Sequence, residues 1–344
     1  MSKSIRSLSV IAKEKTWQEN FYSKMLVVIS VTLLAGLLLL TIPLYAPPYT
    51  IVLLSSILMY SVISVSWATF CGPSQYFSLG IAAFFGIGIY STALLSESWP
   101  ESPLFLKMLI GGLASAVFSL LVGFTTLRIR GMYFAIFTYG LSELLRHFVM
   151  WWEVNVTGTV GRWIPIVDNS IVYSHMSILA IVTVLSAYLF LKSRYGLALR
   201  SIGDAEVASE HIGVNVSALK IIVFAASCFF IGASGSLIAT RWTYIDADFA
   251  FDPIRNMFAI MMALFGGMDV LFGPILGAVT IGVVSDVVFV KFPQVNRLLL
   301  GLALVIVVLF IPEGLAGLFY KNKLLSRSWL QFLKRFKLKT QEKE

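Results

Sequence analysis

The chain has few of the residues that a water-soluble enzyme needs. Only 13% of its 344 residues are charged, against about 25% in soluble domains. Its two cysteines are too few for a disulfide framework or a thiolate metal site. The sequence also lacks the phosphate-binding loop of ATPases, the His-Glu-x-x-His zinc motif and the Gly-x-Ser-x-Gly nucleophile motif. We therefore expect no catalytic residue, no metal ion and no cofactor in this chain, and no enzymatic activity.

Hydrophobic residues are abundant instead, at 58% with a mean hydropathy of +0.85. A helix needs about 20 apolar residues to cross a bilayer. Ten runs approach that length, with the third, eighth and ninth short or broken by glycine: 25–45, 50–70, 78–96, 105–127, 131–152, 172–192, 218–240, 254–270, 274–292 and 298–318. The predicted fold is all-α, a polytopic membrane protein with about ten transmembrane helices, some of them half-helices or re-entrant segments.

The basic residues predict how the chain is oriented. Of the 26 lysines and arginines, 19 fall on the side that holds both termini. The positive-inside rule places that side in the cytoplasm of an inner-membrane protein. The prediction is thus a basic cytoplasmic tail (1–24), a transmembrane domain (25–318) and a second basic cytoplasmic tail (319–344). Anionic lipid headgroups of the bilayer account for the net charge of +8 without a nucleic-acid partner.

The longest internal cytoplasmic segment, 193–217, has the signals of a short helix. Asp204 is a plausible N-cap, Glu206 lies in the first turn and Gly213 is a plausible stop. Ala208 and Ile212 share one face of that helix, while Glu206 and Glu210 share another. A helix this short is unstable alone in water. Two readings remain: a connector packed on its own protein, or an element that docks on a partner.

Three charged residues lie well inside predicted spans, away from the ends. Glu143 and Arg146 lie three residues apart in the fifth span, and Asp286 is midway along the ninth. Buried charges are costly and are normally paired or face water. Each could therefore hold the fold together or line a polar route through the membrane. Glycines such as Gly80, Gly86 and Gly88 leave the same choice, although tight helix packing is their commoner use.

Several segments between about residues 50 and 318 occur in an order and at a spacing that match a known family. They are the glycine-rich stretch Phe70–Tyr90, Arg130–Ile136 with Ser142–Arg146, Tyr195–Lys220, and three short segments, Gly266–Met268, Gly273–Ala278 and Pro312–Leu315. As an ordered set they resemble branched-chain amino-acid ABC transporter permeases of the LivM type, which have urea permeases as close relatives.

The resemblance implies the permease subunit of an ATP-driven importer for branched-chain or similar small amino acids. Its partners would be a second permease, two cytoplasmic ATPases and an extracytoplasmic binding protein. Segment 193–217 would then be the coupling loop that seats in an ATPase, through Arg200, Asp204, Glu206, Ala208, Ile212 and Gly213. The candidate translocation-path residues are Gln75, Ser78, Gly80, Gly86, Gly88, Tyr133, Thr138, Glu143, Arg146 and Asp286.

Departures from the family pattern leave the substrate open. Gln75 replaces a usual glycine, Ile81 a histidine and Asp269 a glycine. Urea or a short amide is therefore an alternative substrate. A secondary transporter driven by protons through Glu143 or Asp286 is an alternative mechanism, because intramembrane carboxylates are typical proton-relay groups. An intramembrane enzyme is a third possibility, but the sequence offers no nucleophile–base pair for it.

Overall fold

The computed structural model describes residues 28–127, 129, 131–268 and 270–291, together with 298, 301, 302, 305, 314 and 315. Both predicted tails and almost all of the tenth predicted span lie outside these residues. The regular structure of the described chain is helical apart from one pair of two-residue strands. Its helices are α1 (Val28–Leu44), α2 (Pro48–Ser74), α3 (Ile81–Ser98), α4 (Leu104–Thr126), α5 (Met132–Trp152), α6 (Asn169–Lys192), α7 (Arg194–Asp204), α8 (Glu206–His211), α9 (Val216–Ala239), α10 (Ala247–Ala250), α11 (Ile254–Gly266) and α12 (Gly273–Lys291).

Six helical stretches of the described chain are long and apolar enough to cross a membrane. They are α2, α3, α4, α6, α9 and Ala247–Gly266, which joins α10 and α11. Helix α1 and the stretch Gly273–Val288 of α12 are apolar but shorter, and α5 carries the charged pair Glu143 and Arg146. The prediction of an all-α membrane protein is confirmed, with six candidate spans. The number of about ten transmembrane helices stays a prediction.

Local sequence accounts for where the helices begin. Proline occupies the first position of α2, where its missing N–H costs no hydrogen bond. Side-chain oxygens cap four other helices by accepting a backbone N–H of the first turn. These caps are Asp168 for α6, Ser193 for α7, Asn215 for α9 and Asp246 for α10.

Glycine and serine pack the centre of the bundle, where α9 lies against α3 and α4. A Cβ atom added at Gly88 would overlap the carbonyl oxygen of Gly232, and one added at Gly232 would overlap the Ser115 side chain. The hydroxyls at these contacts bond across helices, since Ser236 donates to the Gly88 carbonyl at 3.0 Å and Ser115 donates to the Phe84 carbonyl at 2.8 Å. Without large side chains between them, the three backbones approach closely, as small residues allow in membrane helices.

The bundle has two ends, which we name by the elements found there. At the β end, strand β1 (Arg162–Trp163) pairs antiparallel with β2 (Tyr244–Ile245), and Arg162 forms an ion pair with Glu97. At the α8 end lie α7, α8, the loop 75–80 after α2 and the last turn of α4. The predicted coupling loop thus sits at the opposite end of the bundle from the small sheet.

Candidate functional site: the α8 end and an ionic cavity

Helix α8 differs from its prediction at its start and agrees with it at its end. It begins at Glu206, and Asp204 is the last residue of α7, so the expected N-cap at Asp204 is wrong. The reason is that Ser193 nucleates a preceding helix, which continues through 204. At the other end Gly213 adopts φ +87°, and the Gly213 and Val214 N–H groups bond back to the Glu210 and Ser209 carbonyls. This is the Schellman stop that the glycine predicts.

A buried lysine attaches α8 to the bundle. Lys220, in the second turn of α9, is only 2% exposed. Its Nζ donates to Glu206 Oε1 at 2.8 Å, to the Tyr76 hydroxyl at 3.1 Å and to the Leu127 carbonyl at 3.1 Å. Tyr76 in turn donates to Glu206 Oε2 at 2.7 Å. Four separate elements therefore meet at one ammonium group: α8, α9, the loop after α2 and the end of α4.

The side of α8 that faces away from this cluster carries exposed apolar groups. Ile212 is 76% exposed and Val207 is 54% exposed, with Ala208 between them also exposed. Arg200 and Asp204 of α7 are exposed as well. Glu206, grouped in the sequence analysis with the coupling residues, points inward to Lys220. The predicted coupling residues therefore divide into an outward set that could meet a partner and Glu206, which secures the helix.

The loop 75–80 holds three predicted path residues and is fixed on both sides. The Ser78 carbonyl accepts from the Trp67 indole N–H at 2.8 Å, and Leu79 N–H donates to Thr138 Oγ1 at 2.9 Å. A Cβ at Gly80 would lie 3.2 Å from Thr138, so this contact with α5 is already close. The structure brings Ser78, Gly80 and Thr138 together. They are buried, so in this conformation they contribute packing and backbone hydrogen bonds rather than an open surface.

Three other predicted path residues lie apart from that loop. A Cβ at Gly86 would overlap the Phe251 ring, and Gly88 meets Gly232. These two glycines therefore have packing contacts with α9 and with the segment after α10. Tyr133 is 75% exposed on the outside of α5.

The charged pair of α5 is joined as its spacing predicts. Arg146 Nη2 lies 2.6 Å from Glu143 Oε2, and Arg146 Nη1 lies 3.6 Å from Asp248 of α10. The side chains of Glu143 and Arg146 are about one quarter exposed. Within the described residues, Arg146 Nε is buried without a hydrogen-bond partner. The pair connects α5 to α10. Because its side chains are partly exposed, removing its charges should lower the free energy of unfolding by less than removing a fully buried pair would.

Asp286 lies in a cavity of about 500 Å³ between α2, α11 and α12. It accepts a hydrogen bond from the Tyr49 hydroxyl. The same cavity is lined by Arg241, Arg255 and Asp252, three charged residues that are not among the predicted site residues. A second cavity, of about 350 Å³ at the α8 end, is lined by Gln75, Arg200 and Asp204. One predicted path residue and two predicted coupling residues therefore share one space.

Comparison with known proteins identifies the family. Residues 49–309 match the family model described as the permease component of the branched-chain amino acid transport system. The chain belongs to this family of ABC transporter permeases. It is therefore a membrane-spanning permease, in agreement with the resemblance carried by its motifs.

The relatives of the permease are named for different substrates. It is 26% identical over 297 residues to the high-affinity branched-chain amino acid transport system permease protein LivM of Salmonella typhimurium, covering 75% of this chain and 68% of the relative. The LivM protein of Escherichia coli is 26% identical over 296 residues, with the same coverage of both chains. The nucleoside ABC transporter permease protein NupC of Lactococcus lactis is 25% identical over 236 residues, or 62% of this chain and 73% of that one. No solved structure matches the permease.

Gln75 carries a backbone strain that a substitution can test. In the described part of the permease it is the one residue other than glycine with positive φ, at +56°. Left-handed backbone costs a residue with a Cβ roughly 1 kcal/mol relative to glycine. Gln75→Gly is therefore expected to raise the free energy of unfolding by up to about 1 kcal/mol, less the added chain entropy of glycine. Thermal unfolding in detergent measures it, with the exposed neighbour Phe77→Gly as the control that should not stabilise.

Proposed function

We propose that the permease is a subunit of an ATP-driven importer in the inner membrane, and that it carries branched-chain or similar small amino acids. It would form the translocation path with a second permease and receive substrate from an extracytoplasmic binding protein. Two separate cytoplasmic ATPases would supply the energy, since the sequence holds no phosphate-binding loop. Both termini and the α8 end would face the cytoplasm, as the distribution of basic residues indicates.

The observation that carries this proposal is the construction of α8. The helix is six residues long, too short to be stable by its own hydrogen bonds. It is nevertheless fixed in place by Lys220 and by the Schellman stop at Gly213, and it presents Val207 and Ile212 to the outside. A rigidly mounted helix with an outward apolar face is a suitable docking element for an ATPase. A connector that only joins two spans would not need the contacts that fix α8 to the bundle.

Family membership and the LivM relatives favour amino acids as cargo. The nucleoside permease among the relatives is named for another cargo. A urea or short-amide permease remains the alternative substrate class. Against a proton-coupled mechanism, both candidate relay carboxylates already have partners, Glu143 in an ion pair and Asp286 in a hydrogen bond.

Transport by the reconstituted complex tests the proposal. The permease is co-expressed with the partner permease and ATPases of its own genome and placed in liposomes with the binding protein and trapped ATP. We expect uptake of labelled L-leucine that requires ATP and survives a protonophore. Urea in excess should not compete with it. Uptake that collapses with the protonophore while ATP is sustained would establish the secondary-transport alternative instead.

A further inference from the structure

The cavity around Asp286 has the size and lining of a small-molecule site. Its volume of about 500 Å³ falls within the range of ligand pockets, about 300–1,000 Å³. Apolar side chains such as Val52, Ile57 and Phe258 make up much of its wall. Charged groups of both signs enter it from different elements. That combination, an apolar wall with a few converging polar groups, is typical of binding pockets.

One cationic group in the cavity is held in place and the other is available. Arg255 is sandwiched between the rings of Phe85 and Phe249, at 4.7 and 4.5 Å, and donates to the Phe249 carbonyl at 2.7 Å. Arg241, just beyond the end of α9, has among the described residues only a long 3.4 Å contact with the Ser56 hydroxyl. No carboxylate of the described chain lies within 4 Å of it. Burial lowers the pKa of Arg241, which reflects a cation that has lost water without gaining an anion.

The anionic group lies at another part of the same wall. Asp286 Oδ2 accepts from Tyr49, and its second oxygen has no hydrogen-bond donor among the described residues. Next to it, the buried Ser285 hydroxyl also has no partner among them. An unsatisfied buried hydroxyl such as that of Ser285 is uncommon in native proteins and calls for an explanation such as a ligand.

Helix α2 carries the hydrogen-bond partners of both charged groups. Tyr49, the partner of Asp286, and Ser56, the partner of Arg241, are seven residues apart on one face of α2. That corresponds to about 10 Å along the helix axis. A compact zwitterion held by two charge-assisted hydrogen bonds of about 2.8 Å each has a length of the same order as this spacing along α2. Val52 lies between the two attachment points on α2 and offers an apolar surface.

We propose that this cavity binds a small zwitterion, with its carboxylate on Arg241, its ammonium group on Asp286 and an apolar side chain against the wall between α2 and α11. The inference rests on the proposed importer function and adds the residues that select the substrate. A neutral amide such as urea leaves both charges unpaired in a partly buried cavity, which is unfavourable. The site therefore favours amino acids over urea as cargo.

Binding to the pair of permeases in lipid nanodiscs tests the site directly. The probes are labelled L-leucine, 4-methylpentanoate, which lacks the ammonium group, and isopentylamine, which lacks the carboxylate. We expect leucine to bind at least tenfold more tightly than either half-ligand. Arg241→Gln and Asp286→Asn should each weaken leucine binding at least tenfold. Arg162→Gln and Glu97→Gln, which alter an ion pair at the β end outside the cavity, should leave it unchanged.

Selectivity separates a binding role from a structural one. In Asp286→Asn the preference for leucine over 4-methylpentanoate should disappear, and in Arg241→Gln the preference over isopentylamine should disappear. If either variant fails to assemble with the ATPases, Arg241→Lys and Asp286→Glu keep the charge and test its position. Wild-type leucine binding and uptake in both neutral variants would overturn the site and leave the importer standing. Absence of ATP-driven leucine uptake by the unaltered complex would instead overturn the proposed function.

Discussion

Glu210→Pro is expected to release the ATPases from the permease without removing the permease from the membrane. Residue 210 is the fifth of α8, where its N–H bonds to the Glu206 carbonyl in an α-helix. Proline removes that bond and its ring clashes with the same carbonyl, at a local cost of about 3 kcal/mol. A six-residue helix cannot absorb such a loss. Co-purification of the ATPases should fall at least tenfold, and reconstituted uptake should fall to background.

Two variants control this experiment. Glu210→Ala removes the same exposed side chain but keeps the helix, so ATPase association should stay near the wild-type level. Ala208→Pro falls in the first turn of α8, where the backbone N–H has no partner within the helix, so its effect should be much smaller. Equal yields of membrane-inserted protein would show that no span has been altered. Full ATPase association and uptake in Glu210→Pro would mean that α8 is only a connector.

Lys220→Met is expected to cost the permease much of its folded yield. The substitution removes the ammonium group that joins four elements and strands the Glu206 carboxylate, whose side chain is only 16% exposed. Breaking one side of a buried ion pair costs about 3–5 kcal/mol. Thermal unfolding in detergent should show a large fall in midpoint, and reconstituted uptake should fall with it. Lys192→Met removes an exposed lysine near the same end of the bundle and should change neither.

The double variant Lys220→Met/Glu206→Gln separates the ion pair from the shape of the site. With both charges gone, no ion is left stranded, and most of the lost stability should return. Additive losses in the double variant would show that Lys220 acts through its packing and not through Glu206. If stability returns while uptake stays low, the charge pair is needed for transport itself, because it couples movement of α8 to the loop 75–80.

The end of α8 could be read from the sequence, but its start and its attachment could not. A glycine stop is a local signal, and Gly213 adopts the backbone that the signal predicts. The start depends on Ser193, thirteen residues before Glu206, which begins another helix and leaves Asp204 inside it. Glu206 is grouped with the coupling residues by the resemblance, and its contacts with Lys220 and Tyr76 depend on the tertiary packing. Tyr76 lies 130 residues away, and no pattern of spacing relates the two.

The charged residues show the same division. Glu143 and Arg146 pair as a spacing of three residues predicts, because both lie on one helix face. Asp286 could be singled out by its place in an apolar run, although its partner Tyr49 could not. Arg241 and Arg255 were overlooked because they lie in or beside a loop, where charge is ordinary. Only the packing of α9, α11 and α2 brings them to the same cavity as Asp286.

The contact between Gly88 and Gly232 has a consequence for how the gene can vary. Every codon change that replaces a glycine adds at least a Cβ atom, and at these positions that atom overlaps the backbone or a serine of the neighbouring helix. Here the smallest substitutions, from glycine to alanine, are therefore less well tolerated than larger substitutions elsewhere. A change from leucine to valine on the outer surface of α4 costs little, whereas the smallest possible change in the centre of the bundle forces two helices apart. Sequence drift in this permease is channelled to its outer surfaces, and the closest helix contacts stay fixed.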